Sequence, residues 1–215
     1  MEFKAVIFDM GGVLIDGPEK MAKEMVGSDD GNSSKFAFAK MMFYPELIPL
    51  TIKAFKGEIS LEELEQQVME CCRKEFNVDI PQIPLCEGLK RGMGDTKIHH
   101  IMMLQTVRQI KSCGLKTAVL TNNFFFHSNK VTSTFYVDHS LFDEVVESCR
   151  VGMAKPEHSI YQLMLQKLNC RAEEAIFLDD TKENIEAAKE LGITTIWVED
   201  QDKAVEELKK LLKID

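Results

Sequence analysis

The sequence predicts an α/β protein, a doubly wound parallel sheet with an all-helical segment inserted after its first strand. Three observations carry that expectation. Short apolar runs at residues 5–8, 117–121, 144–148, 175–178 and 194–198 have the length and texture of strands, most of them buried on both faces. Helix-compatible stretches alternate with the later runs, as crossover connections in a parallel sheet require. Between residues 19 and 90 no alternating β-branched run occurs, so that stretch reads as helices alone.

Composition bounds the function classes. The 215 residues are 45% hydrophobic and 28% charged, enough for one large domain or for a core with a smaller insertion. Lys and Arg number 26 against 35 Asp and Glu, a net charge of −9 that disfavours nucleic acid or an anionic membrane as partner. An anionic small molecule stays open, because a few local cations and backbone amides can hold a phosphate. Cys71, Cys72, Cys86, Cys113, Cys149 and Cys170 form no Cys-x-x-Cys pair and no zinc-finger spacing. Reduced, mostly buried thiols in an intracellular, cytoplasmic protein are the expectation. Acids at Glu2 and Asp9, with no long apolar segment, predict neither a signal peptide nor a membrane span.

The elements follow in order. The first strand, from Ala5 to Phe8, ends in Asp9, where open α/β sheets place their chemistry. Gly11 and Gly12 then let the backbone turn sharply, although Asp-x-Gly-Gly is also a common turn composition. Leu14 to Pro18 forms a turn and hinge. Helices are expected over 19–27 and 35–44, around a polar break at 28–34, and through Ile52 to Phe55. Ser60 and Glu63 make a capping box for a helix running to about Phe76. A helix over 97–113 stops at Gly114, and the strand 117–121 is closed by Asn122-Asn123. Residues 124–140 are expected to hold one helix. After the strand 144–148 and a loop over 152–156, Pro156 sits in the first turn of a helix through Leu168. The strand 175–178 runs into Asp179-Asp180, and a helix over 182–191 stops at Gly192. The strand 194–198 and an amphipathic helix over 202–213 complete the chain. The expected division is 1–16 and 95–215 for the core and 17–94 for the cap.

In this topology four strand ends or adjoining loops converge on one edge of the sheet. They carry Asp9, then Thr121 and Asn122, then Lys155, then Asp179 and Asp180. Adjacent acids at a buried strand end repel unless a cation lies between them. Each of the others has a plainer reading: a solvated loop lysine for Lys155, a helix cap for Thr121-Asn122, and a surface amide for Asn184.

Four motifs occur in order: Phe-Asp-Met-Gly-Gly-Val-Leu, Val-Leu-Thr-Asn-Asn, Gly-Met-Ala-Lys-Pro-Glu-His-Ser-Ile-Tyr and Phe-Leu-Asp-Asp-Thr-Lys-Glu-Asn. Together they resemble the haloacid dehalogenase-like (HAD) superfamily over nearly the whole chain, with residues 17–94 matching its helical cap. Lys56-Gly57-Glu58-Ile59-Ser60 and residues 147–153 look like the N-terminal phosphatase domain of soluble epoxide hydrolase. They also look like the HAD domain found in front of some acyl-CoA dehydrogenases.

The resemblance implies Mg2+-dependent hydrolysis of a small phosphate ester. Asp9 is then the nucleophile that forms an aspartyl-phosphate. Mg2+ falls to Asp9, Asp180 and the backbone carbonyl of Gly11, with Asp179 acting directly or through a water. Thr121, helped by the Asn122 amide, donates to the phosphoryl group, and Lys155 holds phosphate and nucleophile together. Asn184 orients the carboxylates.

One residue departs from the pattern. Family phosphatases carry a second Asp two positions after the nucleophile, as general acid and base, and here Gly11 stands there. Such a loss slows a reaction by ~10² to 10⁴-fold. Asp16 is the candidate stand-in, as in similar bacterial sugar phosphatases; it reads equally as a turn residue. The alternatives are a catalytically weak or silent domain with a binding role and a metal-free dehalogenase, which the Asp179-Asp180 pair disfavours. Phe36, Phe38, Met41, Met42, Phe43, Tyr44 and Phe55 form either the cap's own core or an apolar tunnel for a lipid phosphate. His99-His100 reads as a surface pair on a helix, with no acidic partner at ligand spacing. Phe124-Phe125-Phe126 reads as core or lid contact rather than active-site mouth.

Overall fold

The computed structural model describes residues 2–16, 45, 47–76, 100–134 and 137–214. The helices expected over 19–27 and 35–44, the hinge at Gly17-Pro18 and the aromatic residues from Phe36 to Tyr44 lie outside the described residues.

Five strands form the sheet: β1 (Ala5–Phe8), β2 (Lys116–Thr121), β3 (Glu144–Glu147), β4 (Ala175–Asp179) and β5 (Thr194–Trp197). All pair in parallel, in the order β3-β2-β1-β4-β5. β1 is central because the chain first builds outward through β2 and β3, then returns to its other side through β4 and β5. The reversal opens a crevice at the carboxyl ends of β1, β2 and β4, the position where doubly wound sheets bind ligands.

The helices in chain order are α1 (Ile48–Phe55), α2 (Leu61–Phe76), α3 (Ile101–Ser112), α4 (Ser148–Val151), α5 (His158–Leu168), α6 (Lys182–Glu190) and α7 (Gln201–Leu212). Strand side chains alternate between two cores, as a period of two demands. Val6, Phe8, Val119, Ile176 and Leu178 meet α3 and α7. Ala5, Ile7, Leu120, Val146 and Phe177 meet α5 and α6. Both faces are covered at the centre, so β1 and β4 are buried along their whole length, while the edge strands β3 and β5 are only partly buried.

A third cluster joins α1 and α2 to the loop after β2. Leu47, Ala54, Leu61, Leu64 and Val68 enclose Phe124 and Phe126. Phe55 stacks on Phe124 with centroids 4.6 Å apart, and Leu61 N donates to Phe125 O at 2.7 Å. Gly57, at φ 67°, lies so close to Cys149 that a Cβ would stand 2.2 Å from its carbonyl oxygen. The expected capping box forms: Ser60 N donates to Glu63 Oε2 at 2.7 Å and Glu63 N to Ser60 Oγ at 3.2 Å.

The structure corrects four local expectations. Residues 124–134 and 137–140 contain no helix; Phe124 and Phe126 point together into the third cluster, and Phe125 bridges antiparallel to Ser133. β3 stops at Glu147, because Ser148 is already in the one-turn helix α4, which Gly152 ends at φ 70°. Pro156 precedes α5 rather than lying within its first turn: Glu157 N donates to Ala154 O at 2.9 Å, and that turn delays the helix to His158. His100 caps α3 instead of riding on it. Its Nδ1 accepts from Met103 N at 3.2 Å, and its Nε2 lies 3.4 Å from Asp202, the acidic partner not foreseen. The four described thiols, Cys71, Cys113, Cys149 and Cys170, are free, but only Cys149 is buried and Cys113 is exposed, so they are not the mostly buried set expected; no described helix is long and apolar enough to cross a membrane.

Glu174 ties the start of β4 to its surroundings. Its carboxylate accepts from Arg171 N and Arg171 Nη2, each at 2.9 Å, and pairs with Lys4 at 2.9 Å. The Arg171 amide, then Lys4, hold its pKa down at about 2, against an ordinary 4.5. A depressed carboxylate stabilises the fold above the unfolded value and loses that contribution as pH falls toward the folded one. Urea midpoints of Glu174→Gln should therefore lie below wild type at pH 7 and converge with it between pH about 4.5 and about 2.

Candidate active site

β1 and β4 are neighbours, and the register Phe8 with Leu178 carries Asp9 to the side of Asp179. Asp9 N donates to Leu178 O at 2.9 Å, so the strand pairing itself holds the residue. On the other flank β2 ends in Thr121, which is buried.

Lys155 enters from the loop between α4 and α5. Its side chain is 1% exposed, with Nζ 2.6 Å from Asp179 Oδ2 and 2.9 Å from Asp9 Oδ1. The ammonium also lies 5.5 Å from the centre of the Phe177 ring. Burial opposes its charge, but Asp179 and Asp9 outweigh burial and raise its pKa. Asn122 sets the loop: its Nδ2 donates to Lys155 O at 3.0 Å, and Lys155 N donates to Asn122 Oδ1 at 2.9 Å. The side-chain amide of Asn122 is thus committed to the Lys155 backbone, a use that no spacing in the sequence signals.

Asp179 is fully buried and heavily bonded. Oδ1 accepts from Thr181 N at 2.8 Å and Asn184 Nδ2 at 3.0 Å. Oδ2 accepts from Lys155 at 2.6 Å and from Asn184 Nδ2 at 3.1 Å. Asn184 is fixed in turn through its carbonyl, which accepts from Tyr161 Oη at 3.0 Å. Tyr161 packs edge-on against Phe177, and burial, reinforced by Asp179 and Asp9, pushes its pKa upward. Tyr161 and Thr181 lie in motifs noted above but were not singled out, since neither residue type marks a site by itself.

Asp9 and Asp180 are less well compensated. Burial, reinforced by Asp179 and Asp180 and opposed by Lys155, pushes Asp9 up to about 7. Its buried Oδ1 has Lys155 as an ion-pair partner but no well-directed hydrogen bond. Burial and then Asp179 push Asp180 up to about 6. Gly12, at φ 73°, makes room for Asp180: a Cβ there would stand 2.2 Å from Oδ2. Gly11 is different, since a Cβ there meets nothing within 4 Å.

One oxygen each from Asp9, Asp179 and Asp180 lies within 4.8 Å of the others. Three buried or half-buried carboxylates face one ammonium, and the donors are all hard oxygens. That set fits a divalent cation of the Mg2+ type. Asp16 is buried and lines an adjoining cleft of about 380 Å³ with Gly12, His100, Asp180, Gln201 and Asp202. The structure thus brings Asp9, Lys155, Asp179, Asp180, Asn122 and Asn184 into one bonded or close-packed group. Thr121 lies on the neighbouring strand end and Asp16 in the cleft beside Asp180.

An acidic cluster and a buried lysine stand together at the switch point of a parallel five-stranded sheet, where doubly wound α/β proteins bind their ligands. The chain belongs to the haloacid dehalogenase-like hydrolase family, whose model matches residues 3–192. It is 38% identical to acyl-CoA dehydrogenase family member 10 of Mus musculus, over 98% of this chain and 19% of that protein. It is 32% identical to bifunctional epoxide hydrolase 2 of Sus scrofa, over 98% of this chain and 39% of that protein. The chain therefore spans well under half the length of these two relatives. It is 28% identical to the phosphorylated carbohydrates phosphatase of Thermotoga maritima, over 90% of this chain and 84% of that protein. A HAD family enzyme from Bacteroides thetaiotaomicron, solved in complex with magnesium and inorganic phosphate, shares the fold at a TM-score of 0.61 and 21% identity, covering 91% of this chain and 93% of that one.

The raised carboxylates have a stability consequence. A carboxyl whose folded pKa exceeds its unfolded value costs stability as pH rises between the two. Without added cation, stability should fall as pH climbs from about 4, the ordinary value being 3.8, through about 6 to 7. Asp180→Asn should raise the cation-free stability at pH 7.5 by on the order of 1–3 kcal/mol in urea unfolding. Lys155→Met should lower it by about 3–5 kcal/mol, since it leaves buried carboxylates without their counter-charge.

Proposed function

We propose that this protein hydrolyses small phosphomonoesters with Mg2+, and that Asp9 is the attacking group. The observation that carries the reading is the Lys155 ammonium held between Asp9 and Asp179, with Asp180 completing a carboxylate cluster beside it. The phosphatase of Thermotoga maritima among the relatives and the magnesium and phosphate in the Bacteroides thetaiotaomicron neighbour support it.

Asp9, Asp180 and the carbonyl of Gly11 are the proposed Mg2+ ligands. Asp179 acts through water, because its oxygens already accept from Lys155, Asn184 and Thr181. Bound there, Mg2+ would neutralise charge between an anionic nucleophile and a phosphate dianion. Asp9 forms a bond to phosphorus while the bond to the ester oxygen breaks, and the departing oxygen takes a proton. Water then attacks the phosphorus and displaces the Asp9 carboxylate, releasing inorganic phosphate. Lys155 stabilises the charge on the phosphoryl oxygens, and Thr121 with the Asn122 backbone amide donates to them. Asp16, in the cleft beside Asp180, is the proposed proton donor and later acceptor.

The core is assigned to 1–16 and 95–215 and the cap to 17–94, with α1 and α2 as the described part of the cap. Its contact with Phe124 and Phe126 lies three and five residues from Thr121 in the chain, so cap position and the phosphate end of the site are mechanically close. Selection between sugar and lipid phosphates is placed in the cap. A second reading, binding without turnover, rests on the absence of a carboxylate at position 11.

Steady-state assays on an aryl phosphate with Mg2+ separate the two readings. Turnover is expected for the wild type, with loss of about 10³-fold or more in Asp9→Asn and abolition by chelator. A wild type as inert as Asp9→Asn across a panel of sugar and lipid phosphates favours binding alone. Because Gly11 faces open space, Gly11→Asp should fold and raise kcat by about 10- to 100-fold. Asp16→Asn should lower kcat by at least about 10-fold and remove one limb of its pH profile.

A further inference from the structure

Trp197 is the chain's single tryptophan, and the chemistry above gives it no part. It closes β5 at the edge of the sheet, in register with Asp179. Val198 N donates to Asp179 O at 2.9 Å, so the backbone of β5 continues to support the end of β4. One step further, the Trp197 indole Nε1–H donates to the backbone carbonyl of Asp180 at 3.0 Å. The residue is 45% exposed, so apolar burial alone does not account for it here.

Asp180 is thereby bounded on two sides. Gly12 leaves the space that its Oδ2 occupies, and Trp197 anchors its peptide from the β5 side. Peptide orientation fixes the Cα–Cβ direction, and that direction decides whether the carboxylate reaches the oxygens of Asp9 and Asp179. Asp180 lies one residue beyond β4, and unlike Asp9, whose N–H still donates to Leu178 O, it stands in the turn that follows the paired strand. A donor from the neighbouring strand end supplies the restraint that the ladder no longer gives.

We propose that Trp197 is a positioning residue for the cation site, acting through its indole N–H on Asp180. It rests on the reading of Asp9 and Asp180 as Mg2+ ligands. A direct corollary is that the ring senses occupation of the site, since it is bonded to the peptide of a ligand residue. Tryptophan emission is therefore an optical readout of cation binding that needs no substrate.

The test titrates MgCl2 alone into the full chain at pH 7.5, followed in parallel by calorimetry and by tryptophan emission. Wild type should bind with a saturable emission change whose midpoint matches the calorimetric one, and Asp180→Asn should lose both signals. Trp197→Phe keeps a ring and removes the N–H; its calorimetric midpoint should move to about 3- to 10-fold higher Mg2+, the weight of one hydrogen bond. Its urea midpoint should stay near wild type, which a merely structural role would not allow. If Trp197→Phe binds Mg2+ as tightly as wild type, the positioning role is overturned and the phosphatase reading stands. If that variant does not fold, the wild-type emission decides: a flat trace across a calorimetric binding curve overturns the role. Absence of any calorimetric binding in the wild type overturns both.

Discussion

Three carboxylates at the carboxyl edge of one sheet face a single ammonium, and much of the local structure follows from that imbalance. Asp9 and Asp179 share Lys155 at 2.9 and 2.6 Å, while Asp180 has no cation of its own among the described residues. Burial, then repulsion among the three, pushes Asp9 and Asp180 upward, more than the one ammonium offsets. Asp179 escapes by collecting donors from Thr181, Asn184 and Lys155. A buried cluster of this kind costs stability by itself, and such costs concentrate where a site needs them.

The supports around the cluster are arranged in series. Asn122 pins the backbone of Lys155, Lys155 bridges two carboxylates, Asn184 braces Asp179, and Tyr161 braces Asn184. A second buried set holds the loop after β2: Asn123 accepts from Thr134 and donates to Glu147 at 2.8 Å, and Glu147 pairs with Arg150. Arg150 also lies over the Phe125 ring at 5.5 Å, and Gly57 of the helical segment packs on Cys149. The helices α1 and α2 are thus seated on the stretch that runs out of Thr121, which ties them to the phosphate side of the proposed site.

The fold was legible in the sequence because parallel strands covered on both faces must be short, apolar and separated by helices. All five strands follow from that rule, and the capping box at Ser60 follows from the Ser-x-x-Glu spacing. Asp9, Asp179 and Asp180 are legible because they fall at strand ends, and Lys155 because it falls in the loop that follows β3 on the same edge of the sheet. The errors fell where tertiary contacts override local pattern. Phe124 to Phe126 were assigned to a region with a helix, but their side chains are drawn to α1, α2 and Arg150. Pro156 suits the first turn of a helix by sequence, but the turn over Ala154 to Glu157 presents Lys155 and delays α5 to His158. His100 was read as an exposed pair member because its partner Asp202 lies about a hundred residues away in sequence, on α7. The tie between Asn122 and Lys155 had no sequence signal, since an asparagine side chain bonding a distant backbone leaves no periodicity or spacing.

The most direct measurement of the central claim is a crystal structure grown with MgCl2 and a phosphate mimic. An ion at about 2.0–2.1 Å from oxygens of both Asp9 and Asp180, with Lys155 still on Asp9 and Asp179, is the predicted result. An ion-free cluster in saturating Mg2+, or an ion bound without Asp9 and Asp180, would contradict it.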